Sequence, residues 1–370
     1  MNCLLKTLTA IFLLFSLLGC SKYQTRLNGS FNTLCKSKGI SSKKLKELVQ
    51  VTKKGKYHNV KSILIFYKDS LILEKYFRGS SHDRKVNIHS CAKSVVSILT
   101  GISIDKKNIE SKDCRIIDIF NDQKESMEGW DSLKRSTTVE NLLMMTTGWK
   151  WNEETVPYDN DTNSLILFNR ANDKLRHIGK LPLVSQPGKK FYYNSGAPFL
   201  LSMIITKMSR MPTDSFANNV LFQPLGIHEW KWIRDESGIT YGQGELFLRP
   251  IDLLKIGRIV IDSGKTPEGK QIITDTWLRN SFYNTNPTSG LFNYGYGWWI
   301  FTDRHPHMRS FIQKHKVIEA AGMGGQLLWI IPDLKFVAVT TAENDDYHNI
   351  DNNWVSEAML WEYILPALGY

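Results

Sequence analysis

An α+β fold is predicted: one mixed sheet completed by both ends of the chain, flanked by helices and carrying a mostly helical insertion. Three observations carry this. Strand-like runs appear early, at "KSILIFYKDSLILEKYFRG" (61–79), and again late, at "YGYGWWIF" (294–301), "GQLLWIIP" (325–332) and "KFVAVTTAE" (335–343). Between them apolar residues recur at helical rather than alternating spacing. The 370 residues, 42% hydrophobic and 11% aromatic, are enough for a large core, as one big domain or two interlocked ones.

Taken in order, residues 1–20, "MNCLLKTLTAIFLLFSLLGC", place Lys6 before an apolar run that ends in Gly19 and Cys20. The run is about a dozen residues, too short for a hydrocarbon core of roughly 30 Å, so it reads as a secretory signal peptide rather than a membrane span. Its "LLGC" ending resembles the lipobox of bacterial lipoproteins, which makes Cys20 the expected lipidation site and a membrane the expected partner. Ser21, rather than Asp, after that cysteine fits an outer-membrane destination facing the periplasm.

Residues 21–56 are expected as a basic tether, crowded with Lys22, Arg26, Lys36, Lys38, Lys43, Lys44, Lys46, Lys53, Lys54 and Lys56, a large share of the formal charge of +11. Two readings stay open for it: a solvated tether, or a contact to anionic headgroups in which each basic residue adds about 1 kcal/mol. Nucleic acid is not an expected partner, because the chain is read as exported and carries no helix-turn-helix or zinc-finger signature. Cys35, Cys91 and Cys114 follow no metal-site or disulfide pattern, and a Cys35–Cys114 bridge is left open.

Residues 57–104 start the sheet domain, with a hairpin turning at Lys68-Asp69-Ser70 and then a helix whose Ala92, Val95, Val96, Leu99 and Ile102 recur on one face. The insertion, 105–285, holds "TTVENLLMMTTGWKW" with Thr137 or Thr138 as cap, then the helices "APFLLSMIITKMS" and "PIDLLKIGRIVIDSG". Residues 286–370 complete the sheet, turn tightly at Asp333-Leu334 and close on the amphipathic "NWVSEAMLWEYILPAL".

The chemistry begins at "VNIHSCAKSVVSILTGISID" (86–105), where Ser90 and Lys93 stand three apart at a helix start. That spacing puts both on one face, so a neutral Lys93 is within reach of the Ser90 hydroxyl, which needs a base to become a nucleophile. The first turn also points its positive end at a developing oxyanion. Alone the pair is weak: Ser-x-x-Lys recurs at Ser41/Lys44 and Ser103/Lys106, and Tyr-x-Asn occurs at Tyr57, Tyr158, Tyr192 and Tyr347.

Order supplies the context. "HSCAKSVVSILTGISID", "LLMMTTGWKWNEE", "PGKKFYYNSGAPFLLSMIITKMS", "LFQPLGIHEWKW", "YGQGELFLRPIDLLKIG" and "YGYGWWIF" follow one another as in the serine beta-lactamase-like superfamily, which the chain resembles from about residue 60 to its C-terminus. The resemblance is to the class C branch, with its esterases, D-aminopeptidases and 6-aminohexanoate-dimer hydrolases. It implies an antiparallel sheet in an α/β/α sandwich, and an acyl-enzyme mechanism without metal or cofactor on a small amide or ester. It also implies roles: Ser90 as nucleophile, Lys93 as base, Tyr192 as proton-shuttling phenol, and Asn194 orienting Lys93 or substrate. The backbone amides of Ser90 and Met323 would form the oxyanion hole, and Tyr158 would sit on a substrate-covering loop.

The third family motif, a Lys-Thr-Gly or His-Thr-Gly triplet, falls on Ala320-Ala321-Gly322. Gly322 keeps the close approach of that strand, while Ala320 removes the cation that helps hold a substrate carboxylate, a contact of roughly 1.5–3 kcal/mol. This departure resembles the 6-aminohexanoate-dimer hydrolase and esterase subgroup and weighs against the alternative of a beta-lactamase or D-alanyl carboxypeptidase. A non-catalytic binding lipoprotein is the remaining alternative. Gln243 and Glu245 depart from a stretch that is often glycine-rich. Trp149, Trp151, Trp298 and Trp299 are candidates for either an acyl pocket wall or the core. No Gly-x-Ser-x-Gly elbow or His-Glu-x-x-His helix is present, and Gly264-Lys265-Thr266 lacks the glycine a phosphate loop needs at position 259.

Overall fold

The computed structural model describes residues 30–344 and 355–370. The signal peptide, Cys20 and the first part of the basic segment lie outside the described residues. The described residues form two compact units: one lies within Gly55–Ala358, the other is residues 30–54 together with Met359–Tyr370.

In the smaller unit the expected tether gives way to structure, which corrects the reading of its described part. Helix α1 (Ser42–Lys53) buries Leu45, Leu48, Val49 and Thr52, because those residues share one stripe while Lys43, Lys46 and Lys53 stay exposed on the other side. It packs on the C-terminal helical segments Leu360–Ile364 and Leu365–Leu368, and the Ser41 amide donates to the Ala367 carbonyl at 2.8 Å. Ser41 and Lys44, one of the chance Ser-x-x-Lys pairs, make a helix cap: the Ser41 hydroxyl accepts from the Lys44 amide at 3.3 Å.

The larger unit is built on eight antiparallel strands. β1 (Val60–Tyr67) and β2 (Ser70–Tyr76) form the early hairpin. Lys68 and Asp69 both take left-handed backbone, φ 44° and 68°, the two-residue turn whose twist matches the flanking strands. A short strand β3 (Val86–Asn87), β4 (Trp230–Trp232) and β5 (Leu246–Leu248) form a separate small sheet, so the insertion is not purely helical.

The large sheet is completed by β6 (Asn286–Pro287), β7 (Phe292–Gly295), β8 (Trp298–Phe301), β9 (Ile318–Gly322), β10 (Gln326–Ile331) and β11 (Phe336–Ala342), in the order β2-β1-β11-β10-β9-β8-β7-β6. Both ends of the chain meet where β1 pairs β11, with Ile63 opposite Thr340 and Phe66 opposite Val337. The run 294–301, expected as one strand, is a hairpin instead. Tyr296 and Gly297 both have positive φ, 40° and 81°, and turn the chain back on itself.

Three helices place the chemistry. Helix α2 (Ala92–Asp105) is buried along its whole length to Ser103, not only on one face, and lies against α3 (Gly196–Ser209). Helix α4 (Pro250–Ile261) covers β1, β10 and β11. It sits so close that a Cβ on Gly257 would stand 2.6 Å from Leu328 Cδ1 and 2.7 Å from Val337 Cγ1. Strands β1, β10 and β11 are buried at every position, which is why they read as continuous apolar runs rather than alternating ones. Of the two candidate caps before residue 139, Thr138 is used, in a reciprocal pair with Asn141.

The contact at Gly257 gives a stability prediction. Gly257→Val should lose about 1–3 kcal/mol by overpacking the helix–sheet interface, read as a lower urea midpoint at unchanged slope. Gly290→Ala, where the nearest atom to an added Cβ is 3.9 Å away, should leave the midpoint in place.

Candidate active site

Ser90 lies in a 3-10 turn, His89–Cys91, that runs directly into α2. His89 is held in left-handed backbone, φ 47°, with its amide donating to Asn87 Oδ1 at 2.9 Å. On the other side of the turn, β9 ends at Gly322. A Cβ there would stand 2.3 Å from the Ile88 carbonyl oxygen and 3.3 Å from His89 Cβ, so only glycine lets the strand reach the serine turn. Met323, the next residue, follows that approach. A hydrogen bond of 2.6 Å from Ser94 Oγ to the Gly297 carbonyl ties α2 to the β7–β8 turn.

Lys93 stands one helical turn after Ser90, and its Nζ lies 2.7 Å from Ser90 Oγ and 3.0 Å from the Gln243 carbonyl oxygen. Only 4% of the residue is exposed. Burial disfavours the ammonium and brings the Lys93 pKa down to about 8, against the opposing pull of Glu153 and Cys91. The lysine therefore spends a large fraction of its time neutral near that pH, the state in which it can accept the Ser90 proton.

The phenol beside this pair belongs to Tyr193, which corrects the expectation of Tyr192. Lys93 Nζ lies 5.1 Å from the Tyr193 ring centroid, and the Ser90 side chain is near enough to bear on its phenol. Burial, then the charge of Glu153, pushes its hydroxyl well above the ordinary phenol range. Tyr192 sits under the Lys190 ammonium, 5.1 Å from its centroid. Successive residues project to different sides of the chain, so a shift of one residue decides which tyrosine faces the serine. The segment is then Tyr193-Asn194-Ser195.

Asn194 is fully buried, and no hydrogen bond joins it to Lys93 among the described residues. Its Oδ1 accepts from the Gly196 and Ala197 amides at 2.8 and 3.3 Å and so caps α3, while its Nδ2 has no partner among the described residues. The acceptor that orients Lys93 is the Gln243 backbone carbonyl, a group that does not depend on the side chain at that position. Ala320 is buried in β9 opposite Leu328 and presents only a methyl group.

Sequence reasoning missed Glu153. It is 1% exposed and accepts from Trp151 Nε1 at 2.6 Å, the Ser195 amide at 2.9 Å and Ser195 Oγ at 2.5 Å. "WNEE" offers two adjacent glutamates, and nothing in the pattern says which one turns inward. Tyr158 is half-buried and close enough to Tyr193 for its charge to act on that phenol. Of the four tryptophans, Trp149 and Trp298 are fully buried in the core. Trp299 stacks on Tyr193, centroids 5.7 Å apart at 20°, and forms an aromatic wall with Phe191, Phe292 and Tyr294.

The sequence matches the family model described as Beta-lactamase over residues 58–355. A comparison with curated protein sequences returned no match. Among solved structures, the chain is similar to a Bacillus anthracis protein assigned as a 6-aminohexanoate-dimer hydrolase, with 19% identity, a TM-score of 0.67, and coverage of 87% of this chain and 81% of that one. It is similar to EstCE1, a hydrolase with promiscuous acyltransferase activity, at 12% identity and a TM-score of 0.68, covering 86% and 97%. A class C beta-lactamase aligns at 13% identity and a TM-score of 0.65, covering 88% and 96%. These likenesses carry the fold, and the model match, which takes in both the sheet and the Ser90 turn, carries the family: the chain belongs to the beta-lactamase family.

Proposed function

We propose that the protein is a serine hydrolase that cleaves a small amide or ester through an acyl-enzyme on Ser90. The observation that carries this reading is the 2.7 Å hydrogen bond between Ser90 and a buried lysine whose pKa is brought down to about 8. Ser90 Oγ attacks the substrate carbonyl carbon and gives its proton to Lys93. Tyr193, whose ring lies against the Lys93 ammonium, passes a proton to the departing amine or alcohol as the bond to it breaks. Lys93 then returns its proton to Tyr193; a water attacks the acyl-Ser90 ester and gives a proton to the now neutral Lys93, and as the acyl–Oγ bond breaks Ser90 Oγ takes a proton back from this pair and the acid leaves. The backbone amides of Ser90 and Met323 are proposed to hold the oxyanion, and Tyr158 to cover the bound substrate.

The methyl group of Ala320 favours substrates without a carboxylate to be held there, placing esters and neutral amides ahead of penicillins. Export and lipid attachment at Cys20 belong to the same proposal and rest on residues 1–20 alone.

Four measurements test it. A fluorophosphonate probe should label the wild-type protein on Ser90 and leave Ser90→Ala unlabelled; equal labelling of the two would sink the reading. Tyr193→Phe should lose about 10²–10⁴-fold in kcat on a p-nitrophenyl ester, the usual contribution of a positioned proton donor, whereas Tyr192→Phe should stay within about twofold of wild type.

Because Lys93 must be neutral to act, kcat/KM should rise with pH and level off above about 8, losing about tenfold per unit below that. Nitrocefin turnover should be slow relative to short esters, and efficient turnover would overturn the argument from Ala320.

A further inference from the structure

Glu153 is a charge in an unusual place. Its carboxylate is enclosed, 1% exposed, and receives donors only from neutral groups: the indole of Trp151, and the amide and hydroxyl of Ser195. No ion pair within 4.0 Å includes it among the described residues. A buried carboxylate without an ion-pair partner is costly, and a neutral amide would serve Trp151 and Ser195 almost as well. The charge itself therefore needs a reason: it is tied through Ser195 to the segment whose Tyr193 ring lies 5.1 Å from Lys93 Nζ, and its field acts on Lys93 of α2, Tyr193 before α3, Tyr294 of β7 and the neighbouring Glu154.

We infer that Glu153 is a positioning residue with two separable effects: through Ser195 it fixes the Tyr193 phenol, and through its negative charge it stabilises Lys93 in the protonated form that follows attack. The first effect is geometric. Ser195 is held at both its amide and its hydroxyl by one carboxylate, and Asn194 is tied to the start of α3 by its side chain. The two residues following Tyr193 are thus pinned, which leaves the phenol little freedom to turn from Ser90. The second effect is electrostatic. When Ser90 adds to the carbonyl, its proton makes an ammonium of Lys93 in a site that burial would otherwise keep neutral, and Glu153 is the carboxylate whose charge acts there. Cys91, on the serine turn, acts on Lys93 in the same direction but is itself held neutral by burial.

This inference rests on Lys93 acting as the base, and the experiment separates the two. The pH dependence of kcat/KM on a p-nitrophenyl ester is measured for the wild-type full chain, Glu153→Gln, Glu153→Asp and Ser195→Ala, alongside fluorophosphonate labelling of the wild type. Glu153→Gln should move the acid limb to lower pH by about one unit, since losing the carboxylate makes Lys93 a weaker base, and lower the plateau. Ser195→Ala and Glu153→Asp keep the charge, so both should lower kcat by about tenfold or more while leaving the limb at the wild-type pH. An unmoved limb in Glu153→Gln, or an equal shift in Ser195→Ala, overturns the charge assignment although Ser90 still labels. If Glu153→Gln does not fold, a shifted limb in Glu153→Asp overturns it equally. Failure of the wild type to label removes the hydrolase reading and this inference with it.

Discussion

The site depends on keeping one ammonium out of water. Lys93 sits on a helix that is enclosed along its length, and the rest of the larger unit is arranged so that this enclosure survives a polar group inside it. The Gln243 carbonyl and the Ser90 hydroxyl satisfy Nζ, the Tyr193 ring lies against it, and Glu153 sets the local field. Each of these comes from a different stretch of sequence, so the basicity of one lysine is a property of the assembled fold rather than of its helix. Burial lowers the pKa and the carboxylate limits how far it falls, leaving a base matched to the neutral-to-alkaline range.

The sheet serves that enclosure by geometry. β9 runs from its pairing with β10 straight to the serine turn, and the helix α4 and strands β1, β10 and β11 behind it are packed at close range. The hairpin of β7 and β8 brings Trp299 and Tyr294 to the opposite wall, where they meet Tyr193 and Phe191. The result is the Ser90 hydroxyl between a glycine-ended strand and an aromatic wall, with no cation at position 320.

Much of this was legible in the sequence because it rests on order and periodicity. The early hairpin, the late strands and the Ser90 helix follow from apolar spacing and turn residues. The choice of Ser90 and Lys93 over Ser41 and Lys44 rests on the segments that follow, and the Ser41 pair indeed forms only a helix cap. What could not be read depends on direction. Two adjacent tyrosines, and two adjacent glutamates, are equivalent in pattern; packing alone decides that Tyr193 and Glu153 turn inward. The Gln243 contribution is a backbone carbonyl, which every residue possesses, so its identity carries no signal. The expected tether failed for a related reason: ten basic residues dominate its composition, while Leu45, Leu48 and Val49 among them form the stripe that folds it.

The cysteines have a consequence of their own. Among the described residues Cys35, Cys91 and Cys114 are free thiols; Cys35 is buried in the smaller unit and Cys91 in the larger one, where its Sγ donates to the Gln326 carbonyl at 3.3 Å and burial pushes its pKa far up. A thiolate is the reactive form, so neither reacts until its surroundings open. The chain thus carries one silent reporter in each unit, and the rate at which each becomes alkylated reads the opening of its own unit separately from that of the other.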